Sequence, residues 1–393
     1  MQSRVGSFVL LEEEMQIPPL KMINQPNKSF PPKLFLILLL LGGFIAFSYI
    51  GTYTYTSRYT TIHSSVPISQ PRFQFKCFQE LKNLGSWIRP PSTLWHEMND
   101  TELFWRASFV PKIEGYPFKR TPKIAFMFLT RGPLPMAPLW EKFFKGYDNL
   151  YSIYIHSLPS YRPKFQRSSP FYGRQIPSQV AEWGMMSMCD AERRLLANAL
   201  LDFSNEYFVL LSEACIPIRN FTTVYNYITG SLYSFMGSFD EPGPFGRGRY
   251  SFKMWPLIKR SQWRKGSQWF EINRQLAVDV IKDSKYYSTF EKFCRGDCYV
   301  DEHYFPTMLT MQSPHQLANR SLTWVDWSRG GPHPATFGPY DLRDGFFDRI
   351  VFGGKNTCAY NDGRTDLCYL FARKFAPGAL DRLMENSFDF FGF

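Results

Sequence analysis

Beyond residue 120 the chain alternates short, wholly apolar runs with longer stretches in which apolar residues recur at helical spacing. Ile124-Ala-Phe-Met-Phe-Leu129 is apolar throughout, as expected of a strand covered on both faces. Thr130-Arg-Gly-Pro-Leu-Pro135 breaks the run, and Trp140 to Tyr147 reads as a helix. Tyr151-Ser-Ile-Tyr-Ile-His156 and Tyr207-Phe-Val-Leu-Leu-Ser212 are two further strand candidates. Between them Met185, Met188, Cys189, Leu195, Leu196 and Ala199 form a helical stripe over 184–202. Phe221, Val224, Tyr225 and Ile228 share one face of a second amphipathic helix. Trp269 to Asp283 reads as a third, with Ile272, Leu276, Val280 and Ile281 aligned. Segments 240–249 and 324–334 read as loops, and no internal repeat is present. Buried strands alternating with helices predict an α/β domain with a largely parallel sheet. Ligands bind such sheets beyond the C-terminal strand ends, which points to Thr130, Arg131, His156 and Glu213.

The N-terminal part follows another pattern. Leu34 to Ile50 carries no charge, and with 51–55 it reaches the roughly 20 residues that span a bilayer. Lys21, Lys28 and Lys33 precede it and Arg58 follows, so the positive-inside rule puts the N-terminus in the cytoplasm. A cleaved signal peptide is the competing reading. The expected organisation is a cytosolic tail over 1–33, a transmembrane anchor over 34–55, a stem over 56–122 and a luminal domain over 123–393. Proline recurs among Trp87, Trp95 and Trp105 in the stem, which suggests that it partly packs on the domain.

Composition adds little beyond this. The net charge of +11 is spread along the chain without a Lys/Arg block, so nothing marks a nucleic-acid-binding tail. All seven cysteines follow the anchor, and an oxidising lumen permits disulfides. Their odd number leaves at least one thiol unpaired. Cys294 and Cys298 have no matching pair at zinc-ligand spacing, so a local or long-range disulfide is expected. Cys358 and Cys368 flank the turn signal Tyr-Asn-Asp-Gly-Arg, which makes them candidates for a cross-strand bond. Asn99, Asn220 and Asn319 are sequons on the luminal side and Asn27 is one on the cytosolic side. Glycans are therefore expected only on the first three.

The chemistry concentrates in Cys294-Arg-Gly-Asp-Cys-Tyr-Val-Asp-Glu-His-Tyr-Phe-Pro306. Asp301, Glu302 and His303 sit in a row among Tyr299, Val300, Tyr304 and Phe305. A carboxylate in such surroundings can serve as a general base. The plainer alternative is a helix-capping Asp301 and a solvated first-turn Glu302. The sequence contains no Asp-x-Asp motif. A bound diphosphate would then rely on fixed cations, for which Arg343, Arg349, Arg373 and Lys374 are candidates. Gly246-Arg-Gly-Arg249 lacks the strand-to-helix setting of a phosphate loop. Trp324 and Trp327 suit either sugar stacking or a core. Gly-x-Ser-x-Gly is absent, so nothing supports an α/β-hydrolase.

Five runs occur in one order: Ser212-Glu-Ala-Cys-Ile-Pro-Ile218, Gly266-Ser-Gln-Trp-Phe270, Asp301-Glu-His303, Trp324-Val-Asp-Trp-Ser-Arg-Gly-Gly-Pro-His-Pro-Ala-Thr-Phe337 and Leu370-Phe-Ala-Arg-Lys-Phe375. Together, over about 120–385, they resemble the plant branch of the core-2/I-branching β-1,6-N-acetylglucosaminyltransferase family. The resemblance implies an inverting Golgi glycosyltransferase with a metal-independent variant of the GT-A fold. It puts the catalytic base on Glu302 and the UDP-binding lysine on Lys374, with Arg349 or Arg343 beside it. His156 stands where the family has an aspartate on the uridine side. The family's acceptor region falls on 241–250, including Glu241 and Arg249; Trp324 and Trp327 are acceptor candidates from their stacking chemistry alone. The implied partners are a UDP-sugar donor, N-acetylglucosamine first, and a glycan or glycoprotein acceptor, with no metal cofactor. Transfer of another sugar such as glucuronic acid, or a non-catalytic glycan-binding role, stays open.

Overall fold

The computed structural model describes residues 91–393 apart from 92, 113–114, 344 and 353–356, together with Ser48 and Leu84. The tail, the anchor and most of the stem read from the sequence lie outside the described residues. Among the described residues no helix is long and apolar enough to cross a membrane. The unit described below is the one spanning Gln79–Phe393.

Its first element, helix α1 (Asp100–Ala107), falls in the segment read as stem. Asn99 and Glu102 close a capping box at its start, so the N-terminal amides are satisfied locally. Leu103 is buried, and Asp100 pairs with Arg194 at 2.7 Å.

Strand β1 (Lys123–Leu129) is the centre of the main sheet, and β2 (Tyr151–His156) and β3 (Asn205–Ser212) flank it in parallel. Helix α2 (Ala137–Phe144) connects β1 to β2, and helix α3 (Met186–Leu200) connects β2 to β3. Alternation sends Ile124, Phe126 and Phe128 to one face and Ala125, Met127 and Leu129 to the other. On the first face Phe126 and Phe128 meet Trp140 of α2, and Phe126 also meets Phe221 of α4 (Phe221–Thr229). Each such ring contributes about 1.5–3 kcal/mol by leaving water. The other face packs against Leu195 and Leu196 of α3 and against Leu276 from further along the chain. Covering on both faces explains why these strands read as unbroken apolar runs.

The stretch 269–283 departs from the expected single helix. Glu271–Asn273 is strand β5, antiparallel to β3 at the sheet edge, and helix α4's successor α5 (Arg274–Lys282) begins only after it. Ile272 pairs opposite Phe208 and is fully buried, so its place in the helical stripe was a coincidence of spacing. Asn273 caps α5 by accepting from the Leu276 amide at 3.0 Å.

A second sheet has the order β4 (Cys215–Pro217), β9 (Phe371–Arg373), β6 (Thr323–Val325). The stretch read as a loop from Trp324 therefore starts as strand. Helices α6 (Lys285–Phe293), α7 (Tyr304–Gln312) and α8 (Phe346–Phe352) and the hairpin β7 (Cys358–Tyr360)–β8 (Gly363–Thr365) complete the elements that bear on function. Cys294–Cys298 and Cys358–Cys368 are disulfides, and Cys189 and Cys215 are buried thiols. Asn99 and Asn319 are exposed; Asn220 is half-buried and caps α4 through the Thr223 amide.

Candidate functional site

The turn carrying Glu302 is built by burying its neighbours. Tyr299 takes a left-handed backbone (φ 51°) just after the Cys294–Cys298 loop, and 300–302 form one tight turn ahead of α7. Val300, Asp301 and His303 point inward and are buried, whereas the Glu302 side chain keeps 28% of its surface exposed. Helix α7 has no side-chain cap, so Asp301 does not play the capping role of the plainer reading.

Contacts from elsewhere in the chain hold the turn. His303 Nδ1–H donates to the Arg264 carbonyl at 2.8 Å, and its ring stacks on Trp263 at 4.5 Å. Burial pulls its pKa down to about 3, so the ring is neutral. Burial first, and then the adjacent Glu302 charge, push the Asp301 carboxyl up to about 7. The Gly266 amide donates to the Glu302 carbonyl at 2.8 Å. A Cβ at Gly266 would overlap the Gly237 carbonyl oxygen and lie 2.8 Å from Pro306, so only glycine allows this approach.

Outside the turn, Arg249 Nη1 donates to Glu302 Oε2 at 3.0 Å. Its guanidinium lies 4.2 Å from the Tyr299 ring and 5.5 Å from Phe245. Trp183, 47% exposed, meets Tyr299 at 4.8 Å and His333 at 5.0 Å. Gly184 leaves room for Tyr299, since a Cβ there would stand 3.2 Å from its ring. An open carboxylate is thus rimmed by Arg249, Tyr299, Phe245, Trp183 and His333. Of these the sequence reading named only Arg249 as a site residue.

Two of the candidate cations, Arg373 and Lys374, stand at the end of β9 in the second sheet. Arg373 lies over Trp269 at 4.3 Å and donates to Ser212 Oγ at 3.2 Å, at the C-terminal end of β3. Burial lowers its pKa. The Lys374 carbonyl accepts from the Phe337 amide at 2.8 Å, which ties it to the end of the 324–337 segment. Its ammonium makes no ion pair among the described residues, and Arg343 and Arg349 are exposed. Arg349 is near enough to Asp326 to help hold that carboxyl below its usual range, behind the hydrogen bonds from Ser328. A short path joins the two halves of the site. Gly266 touches Glu302, and Trp269, three residues on, touches Arg373.

The strand-end residues are distributed unevenly. The parallel register sets Leu129 opposite both His156 and Ser212, and the Thr130 amide donates to the His156 carbonyl at 3.0 Å. Arg131 is exposed, but the His156 ring is only 1% exposed. Burial and Arg194 pull its pKa down to about 3. The ring is enclosed, and its Nε2 accepts from the Gln179 amide at 3.4 Å. Glu241 pairs with Lys265 at 3.2 Å. Trp324 stacks on Phe337 at 5.8 Å, whereas Trp327 stays 49% exposed. Among the described residues, no three His, Cys, Asp or Glu side chains gather as metal ligands.

The turn that presents Glu302 belongs to a stretch, residues 124–351, that matches the Core-2/I-Branching enzyme family model. The chain belongs to the core-2/I-branching enzyme family and is a glycosyltransferase by class. Glycosyltransferase BC10 of Oryza sativa subsp. japonica is 35% identical to it over 309 residues, covering 67% of this chain and 76% of the rice protein. The family match contains Arg249, Glu302 and Arg349 and ends before Lys374.

Proposed function

We propose that the protein is an inverting glycosyltransferase that moves a sugar, N-acetylglucosamine first, from a UDP-sugar to a glycan hydroxyl with Glu302 as general base. The observation that supports this most is the outward aim of Glu302 from a turn whose other side chains are buried. Arg249 holds Oε2 and orients the carboxylate, which leaves Oε1 for the acceptor. The acceptor hydroxyl gives its proton to Glu302 as its oxygen attacks C1 of the donor sugar. The bond from C1 to the UDP oxygen breaks on the opposite face, so the anomeric centre inverts. Lys374 and Arg349 offset the charge of the departing diphosphate. The exposed rim aromatics Trp183 and Phe245 offer stacking surfaces for acceptor rings. The setting proposed for this chemistry is the Golgi lumen, behind the N-terminal anchor.

The test is a donor screen. The full chain is incubated with UDP-N-acetylglucosamine, UDP-glucuronic acid and other UDP-sugars, with and without glycan acceptors, and UDP release is followed. Acceptor-dependent release with one donor is expected. Tight glycan binding without release from any donor would replace this reading with a non-catalytic one.

A further inference from the structure

Between Pro242 and Phe270 the chain carries Arg247, Arg249, Lys253, Lys259, Arg260, Arg264 and Lys265 and no acidic residue. This segment wraps one side of the Glu302 turn. Arg249 bonds the Glu302 carboxylate, the Arg264 carbonyl receives the His303 ring, and the Gly266 amide holds the Glu302 backbone. Arg247 and Lys265 are matched by Asp240 and Glu241. Lys253, Lys259 and Arg260 are exposed and make no ion pair among the described residues. Large aromatic side chains stand exposed in the same segment: Phe245 at 60%, Phe252 at 73% and Trp255 at 67%.

Exposed rings interleaved with unmatched cations suit a ligand that offers flat faces and negative charge together. Neutral sugar rings would use the aromatics and leave the cations without partners. A glycan that carries carboxylates uses both. Lys253 is four residues from Arg249, and Arg260 is four from Arg264. Four residues of chain span at most about 14 Å, so these cations lie within a short oligosaccharide's reach of the base. An anionic membrane has the same charge, but a bilayer laid on this face would cover Arg249 and Glu302 and shut the acceptor out.

We infer that this face binds the acceptor and that the acceptor is an acidic, uronate-bearing glycan, held by Lys253, Lys259 and Arg260 while its hydroxyl is presented to Glu302. The inference rests on the glycosyl-transfer reading of the site, and direct binding tests it separately from turnover. The full chain and a Lys253→Gln/Lys259→Gln/Arg260→Gln variant are titrated with polygalacturonate and with the same polymer after its carboxyls have been reduced to alcohols. The native chain should bind the charged polymer more tightly, and added salt should erode the difference. The variant should lose about tenfold in affinity for the charged polymer, the worth of three exposed charge pairs, and bind the reduced polymer as before. Equal affinity for both polymers, or an unchanged variant, overturns the inference. Binding to phosphatidylserine vesicles in place of polygalacturonate overturns it in favour of a membrane contact. Loss of all UDP release with the charge preference intact would instead count against the transferase reading alone.

Discussion

Replacing Glu302 with glutamine keeps the side chain's size and removes its basicity. If Glu302 takes the acceptor's proton, turnover should fall about 10²–10⁴-fold, equivalent to about 2.7–5.5 kcal/mol of transition-state stabilisation. The structural cost should be much smaller. The Arg249 pair measures 3.0 Å, with side chains 14% and 28% exposed, so water screens part of it and its loss costs about 1 kcal/mol or less. The amide oxygen of glutamine can still accept from Arg249. The melting temperature should therefore fall by no more than about 4 °C. UDP-sugar affinity should hardly change, because the base faces the acceptor. Three readouts on one variant separate the cases: acceptor-dependent UDP release, donor binding by calorimetry, and thermal unfolding. Near-normal turnover would refute the assignment. Asp301 could not take over the role, since it is only 4% exposed. A fall in turnover matched by a large loss of stability would show that the carboxylate holds the turn rather than the proton.

Lys374→Ala should weaken UDP binding roughly 10- to 150-fold through loss of a charge-assisted contact; activity should survive EDTA, and rescue of chelated enzyme by manganese would disprove this cation-based scheme. Gly266→Ala should cost about 1–3 kcal/mol or more in denaturant unfolding, because its methyl meets the Gly237 carbonyl oxygen and the Pro306 ring. Turnover should fall with it, since the Gly266 amide holds the Glu302 carbonyl, and a stable, active alanine variant would contradict the packing. Burial raises the Glu271 carboxyl to about 8 from an ordinary 4.5, so the folded state holds its proton more tightly than the unfolded chain. Its contribution to stability is complete below the unfolded value and is lost as pH rises towards about 8. Glu271→Gln should flatten that slope, by up to a few kcal/mol at about 1.4 kcal/mol per unit, and parallel stability–pH curves for the two proteins would refute it.

The succession β1, α2, β2, α3, β3 and α4 is legible in the sequence, because burial on both faces writes itself as unbroken apolar runs; helix α1 and the three-residue strand β4 are not. Tyr151–His156 matches its strand to the residue, and α4 extends only one residue past Ile228. The hairpin cysteines are legible for a similar reason: both the turn signal and the bond are local. The candidate base could be singled out because three titratable residues in an apolar stretch are conspicuous, but which of them faces solvent could not. That was decided by packing from elsewhere in the chain. Trp263 and the Arg264 carbonyl take His303 inward, Gly266 fixes the backbone of Glu302, and only Glu302 is left outside. Periodicity also misplaced Ile272, since a strand edge and a helix face both bury every such residue and only the neighbouring β3 distinguishes them. His156 shows the same limit: a residue at a strand's end faces either the cleft or the layer beneath, and here its ring is buried, with the Gln179 amide on its Nε2. Trp183 and His333, distant in sequence, meet at the rim of the site through Tyr299 and Trp183 contacts that no local pattern encodes. Local sequence thus determines what each segment can be. Long-range packing determines which of its side chains are left free to act.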